Sequence, residues 1–316
     1  MKPLIALCMI VRNDARSLER ALESAKVHVD EIDIGIDDRT TDPDTRKVAE
    51  KFTSSVWTFG HADVGLSAEQ WQAGLIHFAN ARNLGWARVR SPWIMHFDSD
   101  EYLECRVDLR ALAGRYMFTP YNSFSVWRAT ANFEFRDPTR FARAHLRWRS
   151  PTHNQLPGAR PDFPIEAKVI QDTSLRSTED NQRRNEQRNA GMELLRPLAE
   201  EGDQNAIYHL AKHDTFLGNL GQGAKWAEKY LASQLAHGEF SDSRATLCVA
   251  VGQRYGEEGE ILAAEMWAVR ALFDGPHPDA FALLTELAKL RGDSTAAETW
   301  AKAVEFAPER DRMRSK

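Results

Sequence analysis

Pro92–Leu103, PWIMHFDSDEYL, decides the reading of this chain. Trp93, Ile94, Met95 and Phe97 suit a buried strand, and they run straight into Asp98, Asp100 and Glu101. Carboxylates this close repel one another and are costly to desolvate, so such a cluster usually waits for a cation. If the strand continues, Asp98 and Asp100 point the same way, because side chains alternate along a strand. Hard oxygen ligands of this kind suit Mg²⁺ or Mn²⁺, which keep waters and share a substrate's phosphates. The plain alternative is a solvated turn after a strand.

Working outward, LIALCMIVRND (4–14) is an apolar strand ending in a polar loop. Ala15 to Lys26 then sets Leu18, Ala21, Leu22 and Ala25 on one helical face. DEIDIGIDDRTTD (30–42) is a short strand through Ile32, Ile34 and Ile36 that ends at Asp37 and Asp38, with a charged helix after it through Val48. HFANARNLGWARVRSPW (77–93) places Ala79, Leu84 and Ala87 on a helix just before the Asp98 strand. This βαβ order predicts a parallel sheet, whose ligands bind at the carboxyl ends of the strands. Arg12, Asn13, Asp37 and Asp98 fall at such ends. No G-x-G-x-x-G follows the first strand, so the dinucleotide fingerprint is missing.

CMIVRND, VDEIDIGIDDRTTDPDT, FANARN and WIMHFDSDEYL, in that order, resemble the successive blocks of glycosyltransferase family 2. The resemblance is to the bacterial or phage soluble subgroup and covers about the first 155 residues. It implies the GT-A fold, a Rossmann-like α/β nucleotide-diphospho-sugar transferase. It also implies inverting transfer of a sugar from a nucleotide-sugar, usually a UDP-sugar, with divalent Mn²⁺ or Mg²⁺ on the diphosphate. Carried over by position, Val11 and Arg12 match the loop beside the nucleotide base, and Asp37 the contact to the uracil edge. Arg82 and Asn83 match the block near the donor. Asp98 and Asp100 match the D-x-D motif, Asp100 being the usual direct metal ligand, and Glu101 the acid after it. His153, in SPTHNQL, matches a histidine that completes the metal shell. The chain departs from the pattern twice. DDRTTDPDT replaces a glycine-bearing DTGSTDGT, which makes the second loop stiffer and more charged, and Asn154 stands where the subgroup has Glu.

The chemistry needs a cation to stabilise the departing nucleoside diphosphate and a base to deprotonate the acceptor. Glu134 and Asp137, in ATANFEFRDPTR (129–140), lie where an acceptor loop belongs and are the candidate bases. Asp137 before Pro138 is also an ordinary turn pair, and Glu134 can pair with a nearby Arg.

At 316 residues the chain is long enough for two domains. The expected division is a transferase domain over 1–172, a linker and first helix over 173–190, and a helical domain over 191–316. In that last part GAKWAEKYLA, AEMWAVRALF and AETWAKAVEF repeat, with Trp226, Trp267 and Trp300 spaced by 41 and 33 residues. Each is preceded by another helical stretch, so paired helices at this period resemble tetratricopeptide (TPR) units. The other reading is a plain helical bundle, and the tryptophans are expected to pack its core.

Three cysteines without a CxxC pair give neither a disulfide frame nor a zinc site. Arg12 and Asp14 interrupt any signal-like apolar stretch, and no window nears the ~18 apolar residues of a membrane span. The expectation is a cytoplasmic protein.

Net charge is −5, divided as +1 over 1–190 and −6 beyond. An acidic helical array is a poor nucleic-acid partner and a good protein or peptide partner. Against it stands a basic run, Arg128, Arg136, Arg140, Arg143, Arg147 and Arg149, which is either a solvated, salt-bridged surface or a contact for diphosphate or an anionic acceptor. Three functions follow: a metal-dependent glycosyltransferase acting on a protein or peptide; the same chemistry on a modified DNA base or a lipid-linked saccharide; or a non-catalytic TPR-type scaffold.

Overall fold

The computed structural model describes residues 3–130, 133–152, 156–172, 174, 178–217, 219–233, 241–273, 275–306 and 314–315. They form two compact units, 1–191 with 311–316, and 192–310.

The first unit is built on a mixed sheet. Its elements run β1 (Ile5–Val11), α1 (Ala15–Ala25), β2 (Glu31–Asp37), α2 (Pro43–Phe52), β3 (Val56–Phe59), α3 (Ala68–Gln72), α4 (Phe78–Arg88) and β4 (Trp93–His96). Then follow β5 (Glu101–Cys105), α5 (Leu109–Arg115), β6 (Ser123–Ala129), β7 (Phe133–Arg143), β8 (Pro161–Gln171) and α6 (Thr178–Glu193). The spatial order is β3-β2-β1-β4-β7-β6-β8-β5. The expected parallel pairing holds for β3, β2, β1 and β4. Beyond β4 the sheet is mixed, since β7 is antiparallel to both β4 and β6, β8 is parallel to β6, and β5 is antiparallel to β8.

Both faces of β1 are covered, which explains its unbroken apolar run. Ile5, Leu7, Met9 and Val11 pack with Leu18, Ala21, Leu22 and Ala25 of α1, while Ala6 and Cys8 pack on the opposite face with Trp86 and Trp148. Full burial of each such leucine or isoleucine contributes about 1.5–3 kcal/mol. Local signals start the helices. Asp42 caps α2 through the Asp44 amide with Pro43 in the first turn, and Ser67 with Gln70 forms a capping box on α3.

Helix α4 carries Ala79, Leu84 and Ala87, as expected. Ala79, Ala81, Gly85 and Trp86 are buried, whereas Leu84 is half-buried and Ala87 exposed. A Cβ on Gly85 would meet the Asp33 carboxylate at 3.5 Å and the Trp57 ring at 3.7 Å, ordinary van der Waals contact.

The second unit is all helix: α7 (Arg196–Glu200), α8 (Gln204–Phe216), α9 (Leu220–Leu231), α10 (Ser241–Glu257), α11 (Ile261–Arg270), α12 (Pro278–Leu290) and α13 (Ser294–Phe306). Helices α8–α9, α10–α11 and α12–α13 pack as successive pairs. Glycines let the paired helices approach: a Cβ on Gly223 would sit 2.6 Å from the Thr215 backbone nitrogen, and one on Gly252 3.1 Å from the Ala264 carbonyl. Trp226 and Trp267 are buried in the unit's core, and Trp300 stacks on Phe281 at 5.9 Å. The architecture is thus an α/β sheet unit and an all-α unit.

Candidate functional site

The carboxyl ends of β1, β2 and β4 lie side by side, because β1 pairs with both neighbours in parallel. Val11 ends β1 and is buried, and Arg12 follows it half-buried. Asn13 adopts a positive φ of 51°, a conformation asparagine tolerates. Its side-chain oxygen accepts from the Thr41 and Asp42 amides at 2.7 and 3.0 Å, tying the first loop to the second.

Asp37, at the end of β2, is buried and enclosed by its own loop. Its Oδ1 accepts from the Arg39 amide and from Arg39 Nε, both at 2.9 Å, and its Oδ2 accepts from Arg39 Nη2 at 2.6 Å. The same guanidinium donates to the Trp71 and Leu75 carbonyls at 2.6 and 3.0 Å and stacks 3.4 Å over the Trp71 ring. Trp71 Nε1 in turn donates to Asp38 at 2.8 Å. Arg39 thus ties this loop to the backbone at Trp71 and Leu75.

The acidic loop after β4 differs from its sequence reading. The strand stops at His96, and Asp98–Glu101 is a turn closed by the Glu101 amide donating to the Asp98 carbonyl at 2.9 Å. Asp98 and Asp100 therefore do not share one strand face. Asp98 keeps a third of its side chain exposed and accepts from Arg82 Nη2 at 2.8 Å, with Arg140 Nη2 at 3.5 Å and Arg128 Nη2 at 3.9 Å. Glu101 is fully buried; its Oε1 lies 2.7 Å from Arg128 Nη2 and 2.9 Å from Arg140 Nη2, and its Oε2 accepts from the Asp98 amide at 2.9 Å. Asp137, on β7, meets Arg140 Nε at 3.2 Å and Thr139 Oγ1 at 2.5 Å. Asp100 is buried, its Oδ2 accepting from the side-chain Nε2 of Gln171 at 3.0 Å.

Arginines from α4, β6 and β7 thus converge on the carboxylates of the turn. Burial would raise the Asp98 pKa, but Arg140 and Arg82 outweigh it and hold the carboxyl well below the usual range. For Glu101 burial wins over Arg140 and Arg128, and its pKa is raised. Asp137 is lowered, its burial being outweighed by Arg140 and the Thr139 hydrogen bonds. Burial lowers the His96 pKa to about 3, helped by Arg82, so this imidazole beside Asp98 is neutral.

Of the candidate bases, Asp137 is committed to Arg140 and Thr139, and Glu134 is half-buried and bound by Lys168 Nζ at 2.5 Å. His153 and Asn154 lie outside the described residues. Among the described residues no three His, Cys, Asp or Glu gather where they could hold a metal ion. The basic run divides rather than forming one patch. Arg128 and Arg140 turn into the acidic cluster. Arg143 donates to the Tyr116 and Met117 carbonyls and lies 4.1 Å over Trp93, while Arg136 is exposed beside Trp127 and Arg147 bonds backbone carbonyls. Sequence reading singled out the run but not which two members enter the site. Among the described residues no helix is long and apolar enough to cross a membrane.

No family model and no curated protein matches the chain. Among solved structures it is similar to S. aureus TarS, with 11% identity over 94% of this chain and a TM-score of 0.40; the chain spans 55% of the length of that protein. TarS 1-349 in complex with UDP gives 13% identity, 95% of this chain, 91% of that one and a TM-score of 0.40. Glucosyl-3-phosphoglycerate synthase from Mycobacterium tuberculosis, in complex with Mn²⁺ and UDP-glucose, gives 14% identity, 40% of this chain, 44% of that one and a TM-score of 0.29.

Proposed function

We propose that the chain is a glycosyltransferase that moves a sugar, with inversion, from a nucleotide-sugar, in the first instance a UDP-sugar, to an acceptor. The observation that carries this reading is the gathering of Arg12, Asp37, Arg82 and Asp98 at adjacent carboxyl ends of a parallel sheet, the place where such sheets bind ligands. The four ordered blocks, which resemble glycosyltransferase family 2 and its GT-A fold, support it. The donor would lie against Val11, Arg12, Asp37 and Arg82.

Asp98 and Asp100 are the hard carboxylate donors that Mg²⁺ or Mn²⁺ accepts when a diphosphate supplies further ligands, so the residues fit a cation shared with the donor. His153 is the proposed third protein ligand. Bound there, the metal would neutralise charge on the departing nucleoside diphosphate. Asp98, however, already faces Arg82, Arg140 and Arg128. A diphosphate offers these guanidiniums another anion and relieves their hold on Asp98. Metal and nucleotide should therefore bind together rather than metal first.

For the base we favour Glu134 over Asp137. Arg140 and Thr139 hold Asp137 in its weakly basic, ionised form, while Lys168 is among the partners of Glu134. We further read the helix pairs as TPR-like and assign them the capture of a protein or peptide acceptor, consistent with their acidic balance. The second reading, an anionic acceptor such as a modified DNA base or a lipid-linked saccharide, is weakened by the way the basic run is divided. A scaffold without activity would have no use for the Asp98–Asp100 pair.

The test is a panel of UDP-, GDP- and dTDP-sugars with and without Mn²⁺, read by thermal shift and donor hydrolysis. UDP with Mn²⁺ should stabilise the fold by up to ~3 kcal/mol at hundredfold excess over Kd. Mn²⁺ alone should do far less. A response to another nucleotide and none to UDP would move the donor assignment, and silence from all three would remove the enzyme reading.

A further inference from the structure

Helix α11 exposes a stripe of large apolar side chains that no described residue of its own unit covers. Leu262 is 76% exposed, Met266 49%, Val269 48% and Phe273, in the turn closing the helix, 79%. The repeat itself shows that this is a departure. Aligned on Trp226, Trp267 and Trp300, the positions of Leu262, Met266 and Val269 are held in α9 by Gly221, Lys225 and Glu228, and in α13 by Thr295, Thr299 and Lys302. All six of those are exposed as well, so the outward face is small or polar in two pairs and apolar only in the middle one. Packing within the array does not ask for it.

We infer that α11 is a self-association surface, and that a second copy of this chain packs its own α11 along the stripe in parallel. Within the helix Leu262, Met266 and Val269 are spaced +4 and +3, the a/d spacing of a helix that pairs with another helix, and Phe273 in the turn extends the stripe. On that register Leu262 and Val269 take the d positions, Met266 the a position, Glu265 a g position and Arg270 the following e position. In a parallel pair each g residue faces the e residue five positions on in the partner. Glu265 would thus meet the partner's Arg270, twice by symmetry. An antiparallel pair would set like charges on the same flank. Within its own chain Glu265 bonds Arg291 at 2.9 Å, and Arg270 bonds Glu228. Both pairs sit on the rim of the stripe and leave its centre apolar.

The stripe amounts to about 400–500 Å² on each copy, roughly half of the ~800 Å² per partner of a stable interface. The dimer is therefore reversible, its population rising between ~1 and ~100 µM. Sedimentation velocity of the full chain across that range should show a monomer passing to a dimer. Met266→Lys with Val269→Lys should hold it monomeric throughout with an unchanged melting temperature at low concentration, since both side chains face solvent. Glu265→Lys should weaken the dimer at least fivefold, and adding Arg270→Glu in the same chain should recover it. A wild-type chain that stays monomeric to ~100 µM, or a lysine double variant that still dimerises, overturns the inference. Failure of the charge swap to recover the dimer overturns the parallel register.

Discussion

Two acidic loops lie on either side of β1 at the carboxyl edge of the sheet, and their charges are neutralised in opposite ways. Asp37 is answered two residues on by Arg39, within a loop whose further partners are Trp71 and Leu75. Asp98 and Glu101 are answered by arginines 16 to 42 positions away in sequence, on α4, β6 and β7. A local answer forms with the loop itself. A distant one requires the sheet to be assembled first, so the Asp98 turn reports on the whole fold and the Asp37 loop mainly on itself. The difference also bears on ligand exchange. Arg39 sits on the same loop as Asp37, whereas the arginines at Asp98 stand on a helix and two strands, and under the proposed function they would face the donor diphosphate.

The strongest way to break this contrast is Arg140→Ala. Arg140 is almost wholly buried and reaches Glu101, Asp98 and Asp137 together; those carboxylates raise its pKa against the effect of its burial. Removing it leaves buried carboxylates without their shared cation, a loss of about 3–5 kcal/mol. Urea unfolding should show it as a lower midpoint at unchanged slope. Arg39→Ala should cost less, about 1–3 kcal/mol, because it strips a stacked bidentate pair from one loop while the strands stay paired. It should also strengthen the response to UDP by freeing the Asp37 carboxylate for the base. Equal losses in the two variants would remove the distinction between local and distant neutralisation. A weaker UDP response in the Arg39 variant would make Arg39 itself the contact.

How much of this could be read beforehand follows from the same contrast. Strands β1, β2 and β4 were visible because they are apolar runs that end abruptly in charge, and α1 because Leu18, Ala21, Leu22 and Ala25 recur at helical spacing. Arg39 lay in plain view beside Asp37, yet the family pattern drew attention to the missing glycine rather than to the added cation. Arg128 and Arg140 were noted only as members of a basic run. Their selection depends on strand pairing, Arg128 opposite Phe135 and Val126 opposite Asp137, which no local pattern encodes. The turn at Asp98–Glu101 is the alternative reading of the segment, and the shared strand face does not form for a related reason. Period-2 extrapolation assumes a continuing strand, and here the Glu101 carboxylate folds back onto the Asp98 amide.

The smallest effect tests the link between the two kinds of neutralisation, at the start of the helix that delivers Arg82. His77 caps α4, its Nδ1 accepting from the Asn80 amide at 3.2 Å, which only an unprotonated nitrogen can do. Burial lowers its pKa from the ordinary 6.5, so the folded state favours the neutral ring. The sign follows from proton uptake: below 6.5 the unfolded chain binds a proton that the folded cap resists. The cap's contribution is complete above that pH and is lost as pH falls toward the lowered folded value. His77→Asn, which caps without titrating, should keep the stability and remove this slope. His77→Ala should cost about 1 kcal/mol at pH 7 and progressively less than that relative to wild type as the pH falls. If the cap also sets where α4 begins, and hence where Arg82 points, His77→Ala should weaken nucleotide binding while His77→Asn leaves it intact. Equal binding in both would show that Asp98 and Trp148, 4.9 Å from the Arg82 guanidinium, are enough to hold the arginine in place.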